Sequence, residues 1–478
     1  MLDDIRGEKI KKINNFTEAG IEPYPSGPFE KQNTKDVFEK PVGEGAVIAG
    51  RIMLFRDMGN ITFMHIQDES GRIQVVLNKK EFSGDYKFWV KNLDMGDFVG
   101  VEGKRFDTQK GEKSVLAEKI TLLSKSILPL PDKHKALQDD EQKLRKRYLD
   151  IMFNPEVKDL VYKRDIFWSS IRKFLKDKGF TEVETPVLEV TAGGADAEPF
   201  ATHHNALDLD VYLRISMGEL WQKRLMIAGF EKTFEIGRQF RNEGMDAEHL
   251  QDYAQMEFYW AYSNYKNGMK LVEELYKFVA QETFGTLKFK IRDFEVDLGA
   301  EWKEYDYTET IKEMTGVDIY RVNLNTVTEK IEELGIKYDK DGFNMNRAID
   351  TLWKYCRKQI SGPGFLINEP VMLSPLAKRQ KDRPELAERF HVIIAGSELG
   401  NGYSELNDPI DQAERFKEQQ RLRDEGDEEA QMNDEDFVEA MEYGMPPVCG
   451  FGMSERVFSF LMNKTGRECQ IFPLMKKK

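Results

Sequence analysis

From Gly43 to about Lys125 the chain is a succession of short β-like runs punctuated by glycines, among them Ala46–Gly50, Ile61–Ile66, Arg72–Leu77 and Phe98–Gly103. Several short strands at that spacing point to a small closed barrel. Strand, Gly-Asn turn, strand, Ser-Gly turn, strand, helix and strand in that order fit an OB-fold. Ahead of it, Ile5, Ile10, Ile13 and Phe16 outline a short helical extension over residues 1–42, interrupted by Gly20, Pro23, Pro25 and Pro28.

The texture then changes. Pro129 and Pro131 mark a linker over 129–150, behind a barrel domain of 43–128. In Val157–Lys178 the apolar positions Leu160, Val161, Phe167, Trp168, Ile171, Phe174 and Leu175 recur at helical spacing, and Gly179 ends the helix. A strand over Phe180–Leu188 is expected next. Pro186 lacks the N–H a ladder needs, which assigns that strand to an edge or an interface. Further strands are expected at Val211–Ile215, Thr233–Ile236, Ala254–Tyr262, Phe390–Ile394 and Tyr403–Glu405, with a mainly helical, more polar insertion at about 303–365. The expected fold class is α+β: residues 151–478 form a domain around an antiparallel sheet, preceded by the all-β barrel.

A chain of 478 residues with 40% hydrophobic and 11% aromatic content can build two or three sizeable cores. No apolar run approaches a membrane helix, and the charged start Met1–Arg6 lacks the apolar core of a signal peptide. The three cysteines are far apart and make neither a disulfide framework nor a zinc site. These features point to the cytoplasm. The net charge of −14 does not exclude a nucleic-acid partner, because residues 1–150 are nearly balanced and end in the basic Lys143, Arg145, Lys146 and Arg147. Much of the excess acid lies in Asp424–Glu442, expected to be a solvated face.

The chemistry concentrates in two stretches. Phe240-Arg241-Asn242-Glu243-Gly244 is followed by His249, Tyr253 and Met256-Glu257-Phe258-Tyr259, and Gly450-Phe451-Gly452-Met453-Ser454-Glu455-Arg456 comes far later. Arginine forks, an aromatic and a buried-looking glutamate are what a site needs to clamp a nucleoside triphosphate beside a small cationic substrate. There is no Walker-type glycine loop and no convincing Ser/His/Asp set. The His203-His204 pair reads as structural.

In order and content these stretches resemble the second and third signature motifs of class II aminoacyl-tRNA synthetases, and their flanks resemble the lysyl members of the aspartyl/asparaginyl/lysyl subgroup. The resemblance runs from about Gly43 to the closing Ile471–Lys476. It implies ATP and lysine as substrates, magnesium, lysine tRNA as partner, and a homodimer built on the helix and strand before Pro186. Arg241 then bridges the substrate carboxylate and the α-phosphate. Glu243 accepts from the adenine amino group, His249 reaches the outer phosphates, Tyr253 stacks on adenine, and Arg456 covers its other face. Glu398 matches the family's metal-bridging carboxylate, whereas His391 stands where a second carboxylate is usual.

For lysine itself the resemblance assigns Glu257, Tyr259 and Glu405 to the ε-ammonium, Tyr403 to the alkyl stem, Asn401 to the same strand, and Glu219 and Gly194 to the α-amino group. On the barrel, Phe63 and Gln74 match positions that stack on and read anticodon bases, and Arg51 and Glu118 match two further contacts. Leu128–Lys133 and Arg147–Asp150 resemble the hinge. The chain departs from the family by one extra residue between Arg214 and Glu219, one missing residue before Arg456, and Leu250-Gln251 where Asn-Pro is common. Two other readings remain: an RNA-binding barrel protein with an inactive synthetase-like half, and a lysine ligase acting on a protein.

Overall fold

The computed structural model describes every residue except Met1, 132–138, Asp196, 245–249, 339–342, 426–429 and 477–478. It divides into two compact units, Met1–Gln138 and Asp139–Lys478.

In the first unit five strands, β1 (Gly45–Asp57), β2 (Ile61–Gln67), β3 (Arg72–Asn78), β4 (Phe98–Asp107) and β5 (Lys113–Ser124), close into a barrel in the order β1-β2-β3-β5-β4. The strand alternation is strict on β2: Thr62, Met64 and Ile66 are fully buried, while Ile61, Phe63 and His65 stand on the other face. The inward set meets Ile48, Ile52, Val75, Leu77, Val99, Val101 and Val115 in one core. The helix Leu2–Glu18 drives Phe16 into that core edge-on to Phe88, with ring centroids 5.3 Å apart.

Among the described residues the second unit has thirteen strands. β6 (Thr181–Glu182), β7 (Leu188–Glu189), β8 (Ala201–His204) and β9 (Leu209–Leu213) come first, then the long hairpin β10 (Lys232–Phe240) and β11 (Asp252–Ala261). A small ribbon, β12 (Lys288–Ile291) and β13 (Phe294–Asp297), precedes β14 (Lys303–Asp306) and β15 (Gly364–Ile367). β16 (Arg389–Ile394), β17 (Ser397–Ser404) and β18 (Val448–Ser454) complete the set. Eight of them form one sheet, in the order β14-β15-β16-β17-β18-β11-β10-β6, antiparallel except at its two outermost pairs.

One face of this sheet is apolar. Met256 and Phe258 of β11, Phe451 and Met453 of β18, and Phe390, Val392 and Ile394 of β16 pack against the helices Pro155–Asp177 and Tyr265–Phe284. The first helix starts with Pro155, whose fixed φ suits a first helical turn, and it buries Leu160, Phe167, Ile171, Phe174 and Leu175 along one stripe. Between β14 and β15 the helices Tyr307–Thr315, Leu324–Glu333 and Met345–Arg357 have a core of their own around Ile311, Val327, Leu352 and Trp353.

Two sequence expectations need correction. The strand over Phe180–Leu188 is interrupted: β6 pairs with β10 for two residues, and after Val183 donates to the Phe234 carbonyl the chain leaves the ladder. The Thr185 amide and hydroxyl turn to the buried Glu235 carboxylate instead, at 3.1 and 2.6 Å, so Pro186 lies outside any pairing. The acidic stretch Asp424–Glu442, of which 426–429 lie outside the described residues, is not simply a solvated face. Its helix Glu435–Glu442 buries Phe437 and Met441, and the Asp434 carboxylate before it is buried against Arg224 at 3.2 Å.

Candidate active site

A strand's alternate side chains face opposite ways, so the residues between the apolar ones on β11, β16, β17 and β18 form the sheet's other face. They line a cavity of about 410 Å³. The ladder sets their spacing. Glu257, Gly452 and Asn401 stand side by side across β11, β18 and β17, and Tyr259, Gly450 and Tyr403 form the next row. A side chain is missing only in the middle strand, which makes a trough with walls of Glu257 and Tyr259 on one side and Asn401 and Tyr403 on the other.

Three carboxylates converge at one end. Glu257 accepts from Tyr259 Oη at 2.9 Å, Gln255 Nε2 at 2.6 Å and the Met217 amide at 3.1 Å. Glu219, at the start of the helix Glu219–Ile227, accepts from Tyr403 Oη at 2.5 Å. Glu405, 2% exposed, follows β17 and lies 2.5 Å from the ammonium of Lys223. Burial pushes the Glu257 carboxyl up to about 7, and the neighbouring Glu219 carboxylate adds to the push. Glu405 is raised well above the ordinary carboxylate range, again by burial first, with Lys223 pulling the other way. Gly194 borders the same end with φ +86°, and a Cβ there would fall 2.6 Å from Ser216 Oγ and 2.8 Å from Glu219 Cβ. Only glycine satisfies both the left-handed backbone and the close approach.

The other end is cationic and aromatic. Arg241, just beyond β10, reaches the Ile215 carbonyl at 3.4 Å and lies 5.9 Å from the Tyr253 ring centroid. Its Nε is buried with no hydrogen-bond partner among the described residues. A half-buried guanidinium with a spare donor is suited to an anion. Glu243 and Arg456 line the cavity with them. His249 lies outside the described residues.

Glu398 sits between the two ends and is held by the helical insertion. Its Oε1 accepts from Trp353 Nε1 at 2.7 Å and Arg357 at 3.0 Å, while Oε2 faces His391 Nδ1 at 3.7 Å. Burial raises its pKa, yet His391 and Arg357 together hold it down at about 2. Among the described residues no group of three or more His, Cys, Asp or Glu side chains is placed to hold a metal alone. Magnesium takes oxygen ligands and commonly shares them with phosphates. Glu398, ionised and with Oε2 beyond hydrogen-bonding distance of His391 Nδ1, fits as a single protein ligand to an ion completed by phosphate and water. His391 is turned instead to Glu369, with Nε2 3.3 Å from its carboxylate, which Arg389 also meets at 2.9 Å.

The cavity therefore brings together Gly194, Glu219, Arg241, Glu243, Tyr253, Glu257, Tyr259, Glu398, Asn401, Tyr403, Glu405 and Arg456. His203 and His204 do not belong to it; they are exposed on β8, His203 against Asp210 at 2.8 Å. Sequence reading passed over Arg389, which donates to Asn401 at 2.9 Å, and Lys223. Arg389 stands two residues before His391, the strand period for a shared face. Lys223 follows Glu219 by four, the helix period.

On the barrel, Phe63 is half-buried on the outer face. Cross-strand pairing puts Arg51 (opposite Gln67) and Gln74 (opposite His65) on that face with it. Arg51 donates to the Gly96 carbonyl at 3.0 Å and lies 4.1 Å over the Phe98 ring, and Gln74 donates to Ser114 Oγ at 2.9 Å. Glu118 pairs with Lys104 at 2.9 Å, both exposed. An aromatic, a guanidinium and an amide on one face are means by which small barrels hold single-stranded bases.

Residues 46–123 match the OB-fold nucleic acid binding domain family, and residues 139–476 match the class II tRNA synthetases (D, K and N). Among curated relatives, the lysine–tRNA ligase of Carboxydothermus hydrogenoformans is 43% identical over 99% of this chain and 98% of its own length. Those of Thermotoga maritima and Pelotomaculum thermopropionicum are each 42% identical, over 100% and 99% of this chain and 97% and 95% of theirs. With a cavity of this composition and matches that extend through both units, the chain belongs to the class II tRNA synthetases, behind an OB-fold nucleic acid binding domain.

Proposed function

We propose that the chain activates L-lysine with ATP and transfers it to the 3′ end of lysine tRNA. The observation that carries this reading is the convergence of Glu219, Glu257 and Glu405 at one end of the cavity whose other end holds Arg241 and Arg456. A lysine ammonium is costly to desolvate without facing carboxylates. At about 4 Å a charge pair is worth roughly 4 kcal/mol at an effective dielectric of 20, so reversing its sign dominates the choice between lysine and aspartate.

Chemistry here is positioning and charge stabilisation. Glu257, Tyr259 and Glu405 hold the ε-ammonium, Tyr403 covers the alkyl stem, and Glu219 with the Gly194 backbone holds the α-amino group. Arg241 draws the lysine carboxylate against the α-phosphorus of ATP and cancels the repulsion between the two anions. The carboxylate oxygen attacks phosphorus, the bond to the β-phosphate oxygen breaks, and pyrophosphate leaves. Glu243 and Tyr253 fix the adenine, His249 meets the outer phosphates, and Arg456 covers the second adenine face. Magnesium, held by Glu398, would neutralise phosphate charge. The tRNA ribose hydroxyl then attacks the acyl carbon and AMP departs. Arg51, Phe63, Gln74 and Glu118 bind the anticodon.

We place the protein in the cytoplasm as a homodimer. No helix of the described residues is long and apolar enough to cross a membrane. Support for the dimer comes from Tyr162 and Ile166 on the helix Pro155–Asp177 and from Val187, Leu188 and Val190 after it, all exposed apolar side chains. ATP–pyrophosphate exchange with each of the twenty amino acids tests the function. Lysine alone should support it, and preference for aspartate or asparagine would overturn the reading.

A further inference from the structure

Lys223 is a fully buried cation inside the amino-acid end of the cavity's wall, and the mechanism above makes no use of it. It lies one turn after Glu219 on the helix Glu219–Ile227, and its side chain is 1% exposed. Its ammonium is 2.6 Å from Glu219 Oε1 and 2.5 Å from Glu405 Oε2, with the Tyr403 and Phe437 rings 5.6 and 6.0 Å away. Stability does not explain such a residue. A buried ion pair is commonly no better for a fold than apolar side chains of the same volume, and Phe437, Met441 and Phe416 beside this helix already form an apolar cluster.

Its charge has a plain consequence. Glu219, Glu257 and Glu405 bring three negative charges to one end of the cavity, and Lys223 removes one. Other charged groups around this end are paired, Arg389 with Glu369, Glu398 with Arg357 and Arg224 with Asp434, and the Glu189 carboxyl, which burial pushes up to about 7, accepts from Trp221 Nε1 at 2.9 Å. With its three carboxylates ionised, the form that accepts from an ammonium, the site has two net negative charges. A substrate whose carboxylate is taken by Arg241 offers this end its α-ammonium and, if it is a diamino acid, one more. Two ammonium groups neutralise the site and one does not.

We propose that Lys223 is a positioning and specificity-determining residue: a built-in counter-cation that sets the pocket's charge to match a substrate with two ammonium groups, and that spaces Glu219 and Glu405 to receive them. The inference rests on the lysine-activating reading above. Without Lys223 three carboxylates face one another in a buried site, and one must take a proton or swing away. Either change removes an acceptor from the substrate. The raised pKa values of Glu257 and Glu405 are in keeping with a site that is over-charged until its ligand arrives.

The test is lysine-dependent ATP–pyrophosphate exchange by Lys223→Met, Lys223→Arg, Glu405→Gln and the double variant Lys223→Met/Glu405→Gln, beside the wild type. Lys223→Met is expected to raise the lysine KM about tenfold or more, as loss of one partner of a buried charge pair does, with the ATP KM within about twofold. Lys223→Arg, which keeps the charge, should recover most of the loss. The double variant restores two net negative charges, so its effect should fall well short of the product of the two single effects. Calorimetry of lysine binding in two buffers of different ionisation enthalpy should show Lys223→Met releasing about one proton more than wild type, a change that simple repacking does not produce. An unchanged lysine KM, multiplicative single effects or an unchanged proton count would overturn the proposal. Should Lys223→Met not fold, the double variant, in which both charges are gone, decides by the same KM comparison against Glu405→Gln. A wild type inert toward lysine would instead defeat the function reading, independently of Lys223.

Discussion

Gly450 on β18 is the most tightly enclosed of the glycines Gly194, Gly450 and Gly452 at the carboxylate end of the cavity. It pairs with Tyr259 on one side and Tyr403 on the other, and a Cβ there would fall 2.1 Å from Glu405 Oε1 and 2.8 Å from Tyr259 Cε1. Gly450 is not among the positive-φ glycines, so alanine is compatible with its backbone and the effect of Gly450→Ala is one of space. Glu405 cannot simply step aside, since it is buried and paired with Lys223. Restoring an ordinary contact moves its carboxylate by about 1 Å or more. Lengthening a charge pair from about 4 to about 5 Å at an effective dielectric of 20 loses about 0.8 kcal/mol, and losing one hydrogen bond to a charged group adds about 1.5–3 kcal/mol. The sum, about 2–4 kcal/mol, predicts a fall of about 30- to 1,000-fold in kcat/KM for lysine. Exchange measured over a range of lysine at saturating ATP reads this directly. The ATP KM should be unchanged, and Gly452→Ala, whose Cβ would come no closer than 3.1 Å, to Glu257 Cγ, should be milder. A Gly450→Ala protein with normal lysine kcat/KM, or with equal losses for lysine and ATP, would refute the reasoning.

Arg241→Ala should lower exchange by about a thousandfold, the scale of losing a preorganised donor to developing charge, and Arg241→Lys should not rescue it because an ammonium lacks the bridging fork; tRNA binding by filter retention should persist in both. Burial pushes the Glu257 carboxyl up to about 7, so kcat/KM for lysine should rise as pH rises through about 7, where the carboxylate becomes available. The stability term has the opposite sense: a carboxyl whose folded pKa is raised contributes stability that is complete below its ordinary value and lost as pH rises through about 7. Melting at pH 6 and pH 8 should therefore show lysine stabilising the protein more at pH 8. Phe63→Ala should weaken charging of lysine tRNA by about 1–3 kcal/mol, the worth of one stacked base, while tRNA-independent exchange stays normal; an equal loss in both assays would remove the barrel from anticodon binding.

How much of this could be read from sequence depended on whether a residue's period disclosed its face. The barrel was legible because its strands are short and its turns carry Gly-Asn and Ser-Gly, but alternation along Ile61–Gln67 defines two faces without saying which is inside. The pairing with β1 and β3 does, and puts Phe63 outside. Phe180–Leu188 has strand-like composition, yet pairing needs a neighbour, and beyond Val183 the backbone meets a carboxylate instead of a ladder. In Glu435–Glu442 the acids concealed Phe437 and Met441, four apart and buried. The cavity residues were found because their types are unusual in company. Lys223 and Arg389 were missed because a lysine on an amphipathic helix and an arginine at a strand's start ordinarily belong to solvent; only the tertiary arrangement encloses them.

The same ladder that carries the core explains how two ligands can be handled apart. On β11 the core takes Met256 and Phe258, and Tyr253, Gln255, Glu257 and Tyr259 face the cavity. From Tyr253 to Tyr259 the strand advances about 20 Å at roughly 3.4 Å per residue. Tyr253 adjoins Arg241 at the end proposed for the nucleotide, whereas Tyr259 adjoins Gly450 and Tyr403 at the end proposed for the amine. Moving a residue from one end to the other would require sliding the strand by an even number of residues against both neighbours, and sliding it by one would bury the carboxylates and expose Phe258. Register alone therefore keeps the proposed lysine site at a fixed remove from the proposed nucleotide site. This is why substitutions in the Tyr259 row should alter lysine parameters and spare those of ATP.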